Sequence, residues 1–294
     1  MSGYKSILVP VGDAAGGAPA MDLALRVAAA FSAHVIGLHV RTDPATAVPL
    51  VGEGMSGAMV EEMMAAAERL AAARAATART VFDEACARHG VPLATAPAAG
   101  PGAAGPSAEW VDVTGREEEV VAWRGRLSDL VVITRPREGA ESRTTMTVNA
   151  ALMESGRPLL LAPSTPPAEV ARTVAIAWNG SAEAGRAVAA SLPLLARAQT
   201  VTILSVSEDE RTAGAPAGEL AAYLAWHGIA ARCETVAAGP HGHAGEALLS
   251  ECTGRGIDLL VMGAYTHSRL RQLILGGVTR QVLHHADLAC LLSH

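Results

Sequence analysis

One stretch of this chain has residue types and spacing suited to holding charge: GAYTHSRLRQLILGGVTRQVL, from Gly263 to Leu283. A glycine ends an apolar run, a glycine pair follows thirteen residues later, and a threonine stands inside what reads as the start of a helix. Glycine admits backbone conformations closed to other residues, so a loop built on it can bring its N–H groups close to an oxyanion. A helix start adds unpaired N–H groups and the positive end of the helix dipole. Gly263, Gly276, Gly277, Val278 and Thr279 are therefore candidates for a phosphate cradle. Thr266 adds a branched side chain where close approach would be wanted, and His267 and Arg269 supply positive charge nearby. The same letters also fit an ordinary strand–loop–helix corner, and the sequence leaves both readings open.

Other chemistry finds less support. The chain has no G-x-S-x-G elbow for a nucleophilic serine, and its two G-x-G-x-x-G matches, Gly52 to Gly57 and Gly100 to Gly105, each follow a proline-containing segment rather than the unbroken apolar strand that a dinucleotide fingerprint requires. Its four cysteines, Cys86, Cys233, Cys252 and Cys290, form no C-x-x-C pair and read as reduced structural thiols. His241 and His243, and the pair His284 and His285, lack an evident third ligand, so no metal site and no catalytic residue is assigned.

The elements that must position the glycine segment appear twice. Ile7–Val11 is an apolar run followed by a helical pattern from Pro19 to Phe31 and then by VIGLHV. Val174–Ala177 opens the same arrangement, 167 residues after Ile7, and ends in Trp178, Asn179, Gly180 and Ser181 before VTILSV. Asp129-Leu-Val-Val-Ile133 likewise returns as Asp258-Leu-Leu-Val-Met262, 129 residues later. The difference, 167 less 129, places an insertion of 38 residues in the first copy around Val51 to Ala87. Its composition, rich in Ala, Glu, Arg and Met, predicts a long helix. Met55, Met59, Met63 and Met64 on it suit either an adaptable surface or helix packing.

Alternation of strands and helices implies an α/β fold with parallel sheets and helices on both faces. We expect two tandem Rossmann-like (flavodoxin-like) units, each a mainly parallel five-stranded sheet, over 1–164 and 170–294. The segment Ala162–Ala171, with three prolines, joins them as an extended linker. Ligands of such sheets lie beyond the C-terminal strand ends, which directs attention to Trp178, Asn179, Val206, Met262 and Gly263. The short apolar ends LLLA and ACLL are expected to pair within the chain.

Composition narrows the class. Aromatic residues are 3 % of the total against 50 % hydrophobic, so the core rests on aliphatic side chains. A net charge of −6 and a single lysine, Lys5, argue against a nucleic-acid partner. No run approaches the apolar length of a membrane span, and the N-terminal residues lack a signal-peptide pattern, so a cytoplasmic location is expected.

The order VAIAWNGS, DLLVMGAY, HSRL and LILGGVTRQVL resembles the universal stress protein family, in a tandem form over nearly the whole chain. Nucleotide-binding members carry a glycine, two residues, a glycine, nine residues, a glycine and then serine or threonine. Gly263 and Gly276 match the first and third glycines, while Thr266 and Gly277 depart from the pattern and Thr279 keeps a hydroxyl nearby. The resemblance implies ATP or AMP in the second half. Asn179 would meet the ribose, Val206 and Met262 the adenine, and the glycine segment the phosphates. Trp178 would stack on the base or pack in the core. The first half has Thr134, Arg137, Thr147 and Val148 at the corresponding positions, a degenerate ligand site, though Asp13 keeps the acidic position. The implied function is stress-response binding or signalling without turnover. The alternative is a slow ATPase or other nucleotide-dependent enzyme. An intramolecular pseudo-dimer is expected, with a further homodimer left open.

Overall fold

The computed structural model describes residues 3–12, 14–42, 57–96, 105–136, 143–207, 215–237, 244–264 and 277–294. In the first half these form β1 (Ser6–Pro10), α1 (Ala14–Phe31), β2 (His34–Arg41), α2 (Gly57–His89), β3 (Ser107–Thr114), α3 (Glu117–Gly125), β4 (Leu130–Thr134), α4 (Arg143–Glu154) and β5 (Leu159–Ala162). The second half contributes β6 (Thr173–Ala177), α5 (Ala182–Leu195), β7 (Thr200–Ser207), α6 (Ala215–Trp226), β8 (Ala231–Ala237), α7 (Ala244–Gly254), β9 (Leu259–Gly263), α8 (Gly277–His285) and β10 (Ala289–Ser293). No helix among the described residues is long and apolar enough to cross a membrane.

All the strands join one ten-stranded sheet in the order β3-β2-β1-β4-β5-β10-β9-β6-β7-β8. Within each half the neighbours are parallel. The halves meet at an antiparallel seam between β5 and β10, where Cys290, Leu291 and Leu292 face Leu161, Leu160 and Leu159. All six are completely buried, and the pairing covers an edge that each half would otherwise expose. Helices cover both faces, as the burial of the central strands on two sides requires. Leu8, Val131 and Leu260 belong to one core with α3, α4, α7 and α8, whereas Ile7, Val132 and Leu259 belong to the other with α1, α2, α5 and α6.

The duplicated aspartates have a local reason. Asp129 Oδ2 accepts hydrogen bonds from the backbone N–H of Lys5 (2.7 Å) and Ser6 (3.1 Å), where β1 begins. Asp258 does the same at β6, accepting from Arg172 and, at 2.8 Å, from Thr173. Each carboxylate thus fixes the start of the strand beside its own. Burial raises the pKa of Asp258 above the ordinary carboxylate range, offset in part by those backbone hydrogen bonds. An acid with a raised folded pKa weakens the fold as pH climbs through its unfolded value, so ionised Asp258 is bound less favourably than its geometry suggests. We expect Asp129→Ala to cost about 1–3 kcal/mol at neutral pH, and Asp258→Ala to cost less. Urea denaturation of the two variants checks the order, and equal losses would show that desolvation of Asp258 is unimportant.

The insertion is the helix α2, whose 33 residues rise roughly 50 Å. Its buried residues, Ala75, Ala78, Val81, Phe82, Ala85 and Cys86, all lie in its C-terminal half. Phe82 is the anchor. Its ring lies on β2 over Gly37, where any Cβ would come within 2.4 Å of it, and it contacts Trp110 of β3 at 5.3 Å between centroids. Met59 and Met63 are exposed, which favours a surface over core packing for the helix's methionines, while Met55 lies outside the described residues.

Candidate functional site

In the second half the strand order reverses between β6 and β9, and the C-terminal ends of those strands bring Trp178 and Asn179 beside Gly263 through the pairing of Ala177 with Met262. Val206 stands near the end of β7, whose Leu204 pairs with Ala177. The corner's helix, α8, starts at Gly277 and packs on α7, where a Cβ on Gly245 would approach Gln281 Cβ to 2.8 Å. Gly277, Val278 and Thr279 form its first turn, with Gly277 exposed and Thr279 buried.

The two described glycines of the segment have different physical roles. A Cβ on Gly263 would lie 2.4 Å from the Ala184 backbone nitrogen and 2.7 Å from the Glu183 carbonyl carbon. The first turn of α5 presses directly on the end of β9, and only glycine admits it. A Cβ on Gly277 would meet nothing within 4 Å among the described residues. Packing among the described residues does not require glycine there.

The other candidates are partly engaged already. Asn179 Oδ1 accepts from the Ser181 N–H at 3.1 Å, and Ser181 caps α5 by accepting from Ala184 N at 3.2 Å. Glu183 occupies that helix's first turn beside Arg186 at 2.8 Å, and the backbone hydrogen bond to its carboxylate, with Arg186 adding to it, holds its pKa below the ordinary value. The α5 start is thus already satisfied by its own side chains, and the exposed start of α8 is the better anion-facing end. Trp178 is half-buried against the core on the α5 face, and Met262 is almost fully buried in the opposite core. Thr266 and Gly276, with His267 and Arg269, lie outside the described residues, as do Asp13, Arg137, His241 and His243. No group of three metal-capable side chains stands among the described residues.

The sequence profile of the universal stress protein family matches residues 171–294, the half that contains this corner. That match assigns a universal stress protein domain to residues 171–294. A universal stress protein of Synechocystis sp. is 34 % identical over 126 residues, a match that takes in 40 % of this chain and 41 % of that relative's length. The fold of the whole chain is similar to the crystal structure of a universal stress protein from Archaeoglobus fulgidus, with a TM-score of 0.64 at 14 % identity over 98 % of this chain and 95 % of the other. A putative universal stress protein from Pseudomonas aeruginosa gives a TM-score of 0.53 at 13 % identity, covering 99 % and 93 %.

Against that family pattern the first half holds an unexpected feature. A cavity of about 510 Å³ opens at the C-terminal ends of β1, β2 and β4, lined by Gly12, His39, Leu70, Arg74, Glu117 and Thr134 among others. A degenerate site is the expectation here; of its residues Thr134, Thr147 and Val148 are described, while Arg137 and the rest of the loop lie outside the described residues. Thr134, which corresponds to Gly263, is buried and its Oγ1 accepts from the Ala20 N–H of α1 at 3.2 Å. A hydroxyl does by bonding the helix what Gly263 does by yielding space. Thr147 and Val148 lie within α4, with Thr147 donating to Glu117 at 2.9 Å and Val148 in the core.

What the sequence did not show is the insertion's contribution. Ala67, Leu70, Ala71 and Arg74 of α2 form a wall of this cavity. His39 forms part of its floor, stacked on Trp110 at 6.1 Å with its Nδ1 3.0 Å from the Val11 carbonyl oxygen. A carbonyl can only accept, so Nδ1 carries a proton and donates it. The one sequence signal was a histidine inside the apolar run VIGLHV.

Proposed function

We propose that the chain is a cytoplasmic tandem universal stress protein that works by binding rather than turnover, with an adenine nucleotide held in its second half. The observation that carries this reading is Gly277: an exposed glycine with nothing among the described residues beside it, at the start of α8, within the half that matches the family. Free N–H groups at such a start suit phosphate oxygens. In this reading Gly276, Gly277, Val278 and Thr279 meet the phosphates, Asn179 offers its amide to the ribose, and Trp178 and Val206 border the base. Met262 contributes through packing beneath the base, since little of it is accessible. The first half is read as nucleotide-free, because its Thr147 and Val148 sit inside a helix. Its cavity suits a smaller, largely apolar molecule with a polar group near Arg74 or Glu117.

Denaturing the purified full-length chain and weighing the released small molecules by mass spectrometry tests the nucleotide assignment. We expect AMP or ATP, or, from protein stripped of it, calorimetric binding of ATP with a Kd on the order of micromolar. Protein that neither releases nor binds an adenine nucleotide overturns the reading. Steady release of phosphate from ATP would instead establish the rival ATPase.

A further inference from the structure

A second cavity, of about 590 Å³, is lined by residues of the two halves and of their linker. Arg172 and Gln199 in its lining immediately precede β6 and β7, at the opposite end of those strands from Trp178. Arg26 of α1, Arg172 just before β6 and Arg197 after α5 all contribute to its wall, above a floor that includes Val27, Ala171 and Leu194.

Three guanidinium groups around one cavity are unexpected in a chain of net charge −6. Guanidinium is ionised at any physiological pH, so the three repel one another unless a counter-charge is present. Among the described lining residues the carboxylate is Glu169, which is 3.6 Å from Arg172 and largely exposed. The arginines are partly fixed in place by neutral partners. Arg26 donates through Nη1 to the Ala168 carbonyl at 2.8 Å, Arg172 donates through Nε to Gln199 at 2.9 Å, and Arg197 stacks over Phe31 at 5.5 Å from the ring centroid. Those contacts orient the groups without neutralising them; Arg172 is partly balanced by exposed Glu169 and by Asp258, whereas no described carboxylate pairs with Arg26 or Arg197. Arg26 Nε is buried with no hydrogen-bond partner among the described residues, a donor left unmade at a cost that a bound acceptor would remove. The linker beside it holds Ala171 at φ 62°, a left-handed conformation that is unfavourable for alanine and is kept by the surrounding packing.

We propose that this inter-half cavity binds a compact polyanion of the diphosphate class, a phosphorylated small molecule whose oxyanion groups bridge Arg26, Arg172 and Arg197. Planar guanidinium forks match phosphate oxygens in pairs, and the volume exceeds what a single phosphate would fill. Because Arg26 comes from the first half and Arg172 and Arg197 from the second, the bound anion would tie α1 to the second half.

Inorganic pyrophosphate, which has no adenine or ribose, is the probe. Titrated calorimetrically into the full-length chain at low salt, it should bind and should weaken steeply as salt is added. Arg26→Gln and Arg197→Gln should each reduce its affinity about tenfold or more. Arg197 is exposed, so that variant will keep its fold, as its thermal unfolding will verify. Gly277→Val should leave pyrophosphate binding unchanged, which separates this site from the nucleotide site. The proposal is overturned if pyrophosphate does not bind, if the folded Arg197→Gln chain binds it as well as the parent does, or if Gly277→Val abolishes the binding.

Discussion

Gly263→Ala is expected to be among the most damaging single-methyl additions in the molecule, lowering stability by about 3 kcal/mol or more. The added carbon would sit 2.4 Å from a backbone nitrogen and 2.7 Å from a backbone carbon of α5. Backbone cannot rotate aside as a side chain does, so the helix must move as a unit. Ala184, Ala187, Val188, Leu194 and Leu195 would be pulled from their packing. Chemical denaturation measures the loss, with any fall in nucleotide affinity following from the displaced helix. A variant as stable as the parent would show that helix and strand do not depend on this close approach, and would return Gly263 to the ligand.

The neighbouring motif residue should behave in the opposite way. Gly277→Val is expected to change stability by less than about 1 kcal/mol, since the site is exposed, no described residue lies within 4 Å of an added Cβ, and valine is a better helix residue than glycine. Its branched side chain would nevertheless screen the N–H groups at the start of α8. Loss of one or two charge-assisted hydrogen bonds should lower ATP affinity between about tenfold and a hundredfold or more. Calorimetry on the folded variant tests this. Unchanged ATP affinity would mean that nucleotide, if it binds, does so elsewhere, and the corner would then be purely architectural.

These two glycines also show what a sequence can and cannot convey. The apolar runs beginning at Ile7, Leu130, Val174 and Leu259 are strands because parallel strands buried on both faces must be continuously apolar. The insertion is a helix because its residues favour helix wherever it packs. Such signals are local and were legible. The demand on Gly263 was not, because the atoms that crowd it belong to residues some eighty positions earlier in the chain, Glu183 and Ala184. Thr134 read as a lost glycine, yet its hydroxyl bonds α1. The first-half cavity needed His39, Arg74 and Glu117 from three different elements, and the arginine-lined cavity needed both halves in place. Convergence from distant positions leaves no spacing for a motif to record.

The antiparallel pairing of Leu159–Leu161 with Cys290–Leu292 has a further meaning. Were the halves separate identical chains, this contact would be isologous, its occupancy would fall on dilution, and every substitution would appear on both sides of the axis at once. On one chain the contact is intramolecular, so mass action no longer governs it. Each side is also encoded by its own residues. One half is therefore free to gain the wall provided by α2 and to replace glycine with Thr134 while the other keeps Gly263 and Gly277. Covalent continuity thus releases the two strand-end corners from the symmetry that their shared sheet would otherwise enforce.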